Sequence, residues 1–157
     1  MTGKVTIRDV IDSDLLIHYE QQLDPEATAM AAFPSRDREA FMAHWDKVRA
    51  DPANINKTIL YDGQVAGSLA SFELMGEREV GYWIGREYWG RGIATKALRQ
   101  FLGVVQTRPL FGHVAKHNVA SRRVLEKCGF AVIGEDKYTN PAGEEVEEFV
   151  LKLEDGG

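Results

Sequence analysis

The chain has 157 residues, 44% of them hydrophobic and 27% charged, and carries a formal net charge of −5. That size predicts one domain over residues 1–157, with enough core to fold without disulfide or metal staples. The acidic balance argues against a general nucleic-acid surface, and no apolar run reaches membrane-spanning length. Cys128 is the single cysteine, so no internal disulfide forms; with no export-signal h-region at the N-terminus, the expected location is cytoplasmic. The four histidines and Cys128 show no C-x-x-C or H-x-x-x-H spacing, so no metal is expected. The acidic run at residues 143–148 reads first as a solvated edge and second as a cation-attracting rim.

In chain order, Val5 and Ile7 alternate with polar neighbours as a first strand. Asp12 or Ser13 is placed to cap a helix carrying Leu15, Leu16 and Tyr19. A second helix is expected from near Ser35, because Phe41, Met42, Trp45 and Val48 share one stripe. Residues 24–34 lie between these helices, bracketed by prolines, and read as a loop. The period then changes to two. Residues 57–61, 65–73 and 79–85 form an antiparallel meander turned by Asp62-Gly63 and by residues 75–78.

A glycine bend follows, then a long helix with Ile93, Ala97, Leu98, Phe101, Leu102 and Val105 at helical spacing. Residues 110–115 read as a strand. A shorter helix after it ends at Gly129, and residues 130–138 and 144–153 make a closing hairpin. The order β-α-α-β-β-β-α-β-α-β-β is α+β, with a mixed sheet of about seven strands and four helices.

Two places carry chemistry. At Trp89-Gly90-Arg91-Gly92-Ile93-Ala94-Thr95 a helix begins where no bulky side chain covers its first amides. Those amides are unpaired and sit at the positive end of the helix, which suits a phosphate dianion. Arg91 and Lys96 are placed to add charge; a plain strand-to-helix turn is the competing reading. The second place is Asn118-Val119-Ala120-Ser121, where Asn118 reads alone as a helix cap and Ser121 lies one turn in, offering a hydroxyl to a leaving group. No G-x-x-x-x-G-K-S/T string is present, and the bend follows a meander rather than opening a repeated βαβ unit. P-loop and dinucleotide folds are therefore disfavoured.

The chain resembles the GNAT acetyltransferase superfamily. The resemblance is carried by Trp89-Gly90-Arg91-Gly92-Ile93-Ala94 against the family's Q/R-x-x-G-x-G/A motif. It is carried equally by residues 118–130, ending Glu126-Lys127-Cys128-Gly129-Phe130, against N-x-x-(A/S)…E-K-x-G-F. Trp89 departs from the Gln or Arg of the pattern, and Leu125 stands where many members have a tyrosine general acid. Ser121 and the V-L-E-K-x-G-F ending resemble the Rim-type ribosomal-protein N-terminal branch.

That resemblance implies a GNAT-like, mainly antiparallel sheet and direct acetyl transfer from acetyl-CoA to an amine in a ternary complex. A catalytically silent acyl-CoA-binding module is the alternative. The resemblance further implies that acetyl-CoA is held by Gly90, Arg91, Gly92, Ile93, Ala94, Thr95, Asn118 and Ser121, and by the backbone of Trp83, Ile84 and Gly85. It makes Ser121 the acid and Glu79 the first candidate base, with Glu73 second; an exposed strand carboxylate is the other reading of each. The segment Ala29-Met30-Ala31-Ala32-Phe33 is implied to wall the acceptor pocket, with Met30, Phe33 and Tyr82 against the acceptor. Trp83 and Tyr138 are further candidates, the core being their alternative place. The acceptor is implied to be a small-molecule amine or a protein N-terminus, with neither nucleic acid nor membrane as partner and a monomer or homodimer as the assembly. Cys128 falls on an apolar helix stripe and is read as a small core hydrophobe, not a nucleophile.

Overall fold

The structure, a computed structural model, describes residues 3–154. Its elements are β1 (Val5–Asp9), α1 (Asp12–Gln21), α2 (Pro25–Ala31), α3 (Arg38–Ala50), β2 (Ile55–Tyr61), β3 (Gln64–Leu74), β4 (Glu77–Ile84), α4 (Ile93–Val104), β5 (Leu110–Ala115), α5 (Val119–Lys127), β6 (Ala131–Thr139) and β7 (Glu145–Leu153), with a 3₁₀ turn at Arg86–Tyr88. The strands form one sheet in the order β1-β2-β3-β4-β5-β7-β6. Every neighbouring pair is antiparallel except β4 and β5.

There are five α-helices where the sequence reading expected four. The added one, α2, occupies the segment read as a loop. Asp24 caps it, its carboxylate accepting from the amides of Glu26 and Ala27 at 2.9 and 3.4 Å, and Pro25 is its first residue. Proline there has no amide to waste and a φ already suited to a helix, so Pro25 starts this element rather than interrupting the chain. Two other boundaries move. Helix α3 starts at Arg38 behind the Asp37 cap, not near Ser35. Helix α1 is capped by neither Asp12 nor Ser13: Asp14 reaches back to accept from the Ile11 amide at 3.0 Å.

The sheet has two differently covered faces, and alternation along its strands separates them. Ile59 on β2 joins the main apolar core with Leu69, Val80, Leu98, Phe101, Leu110, Val114 and Leu151, packed under α4 and α5. Fully burying each such side chain contributes about 1.5–3 kcal/mol. Thr58, the adjacent residue, faces the opposite way and bonds Asp14 and His18 of α1. By the same alternation Glu79 and His113 lie opposite Val80 and Val114, on the face of α1–α3.

The decisive irregularity is between β4 and β5. Their ladder holds one residue pair, Glu79 with Phe111, after which the strands part. Gly85 donates its amide to Ala66 O at 2.8 Å, so Ile84, opposite Gly67, is a non-hydrogen-bonded position toward β3. The polar backbone groups of Ile84 and Tyr82 therefore face the opened gap instead of a neighbouring strand.

Candidate active site

A cavity of about 470 Å³ occupies this gap and reaches both faces of the sheet. Ala27, Met30 and Ala31 of α2 line it on one side. On the other side it is lined by the start of α4 and by Asn118, Ser121, Arg123 and Lys127 at α5. Tyr82, Trp83 and Ile84 of the parted strand lie between them. The buried Trp83 Nε1 finds no hydrogen-bond partner among the described residues.

At the mouth of α4 the backbone turns through Gly90 (φ 76°) and Gly92 (φ 73°), and Gly92 is the residue that caps the helix. A Cβ at either would meet no protein atom within 4 Å, so it is the left-handed backbone and not crowding that favours glycine here. Among the described residues, the amides of Gly90 through Thr95 have no protein acceptor; the first amide bonded at this end is Lys96, which donates to Gly92 O at 3.2 Å. A run of free amides at the positive end of a twelve-residue helix is suited to a pyrophosphate. Trp89, the departure from the family pattern, donates its indole N–H to Ile84 O at 2.9 Å and pins the bend to the end of β4. Arg91 is exposed, turned over the Tyr61 ring 5.7 Å away, and does not line the cavity.

At the start of α5, Asn118 Oδ1 accepts the Ser121 amide at 3.2 Å, the capping role expected of it. Ser121 Oγ in turn accepts from Tyr82 Oη at 2.9 Å. Burial pushes the Tyr82 hydroxyl up to about 12, a rise that the Ser121 bond only partly opposes. Leu125, one turn further, is 3% exposed and belongs to the core. Cys128 is half-buried, with its thiol turned toward Thr95 O at 3.7 Å and its pKa raised by burial.

On the opposite face Glu79 is buried, 4% exposed, with Oε1 3.1 Å from His113 Nε2. His113 Nδ1 faces Glu148 Oε1 at 3.0 Å and Asp136 Oδ2 at 3.5 Å. Hydrogen bonds to Glu148 and then Glu79 outweigh burial and raise His113 to about 10, so it is an imidazolium at neutral pH. Burial and the nearby Asp136 push Glu148 up, against the pull of His113. The polar atoms of His113, Asp136 and Glu148 lie within 4.8 Å of one another, and with His113 protonated the cluster is an ion-pair group in which the imidazolium has no lone pair to offer a metal. This cluster had no sequence signal, because it draws single residues from four strands with no short spacing among them.

The candidate residues are therefore distributed unevenly. Met30, Tyr82, Trp83, Ile84, Gly90, Gly92, Ile93, Ala94, Thr95, Asn118 and Ser121 meet in one cavity. Gly85 sits behind it with its amide already committed to Ala66. Phe33 lines a second cleft, of about 620 Å³, between α2 and the β6–β7 hairpin. Glu73 is exposed near the β3–β4 turn, opposite Arg78, and neither it nor Glu79 lines either cavity. Arg123 and Lys127, four apart on α5, are cavity cations that the sequence reading passed over; that i, i+4 pairing was the available signal.

The sheet thus parts between two parallel strands, with free helix amides at the parting and helices on both faces. The chain belongs to the GNAT acetyltransferase family: the Acetyltransferase (GNAT) domain matches residues 4–131. The "Putative ribosomal N-acetyltransferase YdaF" of Bacillus subtilis (strain 168) is 34% identical over 100 residues, 59% of this chain. The match covers 55% of that protein, so the chain spans about half the length of its curated relative. A GNAT-family acetyltransferase from Bacillus anthracis shares the fold at a TM-score of 0.82 and 18% identity, covering 100% of both chains. Mycobacterium smegmatis RimJ, solved in complex with CoA-disulfide, does so at 0.80 and 23% identity, covering 98% of this chain and 83% of that one.

Proposed function

We propose that this protein transfers an acetyl group from acetyl-CoA to a primary amine by direct attack in a ternary complex. The observation that carries the reading is the parting of β4 from β5 beside six amides that are free among the described residues, which opens a route through the sheet from a phosphate cradle to the α2 face. The amides of Gly90 to Thr95 hold the pyrophosphate, with Arg123 and Lys127 adding charge. The open edge at Tyr82 and the Ile84 amide offer sheet-like bonds to the pantetheine arm and a donor to the developing oxyanion, Ile84 O being already bonded to the Trp89 indole.

An amine must lose a proton before attack, since alkylammonium groups have pKa values of about 10.4 and α-amino groups near 8. Glu79, buried against His113 where β4 meets β5 and not itself lining the cavity, is the carboxylate assigned to that proton, acting through water; Glu73, exposed beside the β3–β4 turn, is the second candidate. Met30 walls the acceptor side, and Phe33, with the second cleft, extends it. Ser121 faces the leaving sulfur. The reading places the activity in the cytoplasm; among the described residues no helix is long and apolar enough to cross a membrane.

Release of free CoA thiol from acetyl-CoA against a panel of amines tests the proposal. At least one primary amine should give turnover. E79Q should lower kcat by about 10²-fold and S121A by about tenfold, each leaving CoA affinity unchanged. CoA binding without turnover on any amine would instead make the chain a silent acyl-CoA-binding module.

A further inference from the structure

Tyr82 has a task that neither the phosphate cradle nor the acceptor wall accounts for. It projects from the parted strand β4 onto the α4/α5 face and ends on the hydroxyl of Ser121 at 2.9 Å. A serine hydroxyl has one proton to give and two lone pairs to fill. Tyrosine is the stronger acid of the two and so the donor, which occupies one lone pair of Oγ. Among the described residues the Ser121 hydroxyl donates to no protein acceptor, and both side chains line the cavity. Its proton is thus left for whatever lies in the gap, and donation from Tyr82 polarises it further.

We propose that Tyr82 is a positioning residue which, through Ser121, stabilises the departing CoA sulfur as a thiolate by hydrogen bonding, with no proton passed along the pair. This rests on the acyl-CoA reading above. In the step itself the amine lone pair forms the C–N bond, the C–S bond breaks, and its electron pair stays on sulfur. The protons shed by the attacking nitrogen leave through Glu79 or water. Magnitudes decide against proton relay. A thiol has a pKa of about 8.5 and Tyr82 one of about 12, so the proton prefers Tyr82 by a factor of about 3,000. A tyrosine that hardly releases its proton is a poor acid and a durable hydrogen-bond donor.

The test is the thiol pKa of bound CoA, followed by the ultraviolet absorbance of the thiolate. Cys128, Arg123 and Lys127 from α5 also lie at or near this end of the cavity. The titration is therefore run in a C128S background, where every thiolate is that of CoA, and the comparison is between variants sharing both cations. With Tyr82 and Ser121 intact the bound thiol should titrate about one pK unit below the free thiol, a tenfold gain in thiolate. Y82F should lose most of that gain, S121A should lose it too, and the double variant should match S121A alone. Acetyl transfer by Y82F should show kcat down about tenfold, with an unchanged KM for acetyl-CoA and an unchanged pH profile. S121A and circular dichroism guard against a Y82F fold defect. Equal thiol pKa values in the parent and Y82F, with CoA still bound, overturn the Tyr82 role and leave the acyl-CoA reading standing. Failure of the parent to bind CoA overturns both.

Discussion

Asp14 takes hydrogen bonds from two guanidinium nitrogens of Arg8 at 2.7 and 3.0 Å, from Thr58 Oγ1 at 2.7 Å and from the Ile11 amide at 3.0 Å. Burial alone would raise its pKa, but the Arg8, Ile11 and Thr58 bonds and the Arg8 charge together hold it at about 2. Because the folded value lies below the unfolded one, the stabilisation is complete above about pH 4 and is lost as pH falls through about 2. D14A should therefore cost about 2–4 kcal/mol at pH 7 by denaturant unfolding, and the gap to the parent should narrow steadily below pH 4. A gap independent of pH would contradict the ionised network. The sequence pointed to Asp12 or Ser13 for this cap and missed Asp14. Its partners Arg8 and Thr58 lie on two strands 50 residues apart, and only the β1–β2 ladder brings them together. Glu79 was legible as a candidate and His113 as its partner was not, for the same reason: the pair exists only where β4 meets β5.

At the scale of elements, β4 is the part on which the site depends, and β3 holds it in place. Gly67 faces Ile84 across that ladder, and a Cβ on Gly67 would come 2.0 Å from Trp83 O. Backbone cannot yield as a side-chain end does, so G67A should push β3 away beside the open edge, destabilising by about 1–3 kcal/mol and weakening CoA binding. G81A, on β4 itself, would meet nothing within 4 Å and should cost under about 1 kcal/mol. Urea midpoints and calorimetry on the pair check this; equal effects would contradict the tight β3–β4 approach. Most elements were readable from period changes and turn residues, among them β5 at Leu110–Ala115 and the Asp62-Gly63 hairpin. Helix α2 was not, because seven residues give too little periodicity and its leading proline resembles a break. The parting of β4 from β5 left no local trace at all, since it is a property of two segments about 30 residues apart in sequence.

Across the whole molecule, the sheet acts as a partition with a slot in it. Residues of α4 and α5 reach the slot from one face and residues of α2 from the other, and in the proposed reaction the two substrates enter from those opposite faces. The two motifs that made the donor side legible, around Gly90 and Asn118, are each local, because they mark helix starts. The acceptor side is assembled from α2, β4 and the β6–β7 hairpin, and no short motif records it. In the proposed function the amides of Gly90 to Thr95 converge on the CoA pyrophosphate. Isothermal calorimetry of CoA against pantetheine, which lacks the nucleotide diphosphate, tests it most directly. CoA should bind one to one with a Kd of about 1–100 μM and pantetheine at least about 100-fold more weakly. Equal affinity for the two, or no CoA binding at millimolar concentration, would contradict the claim.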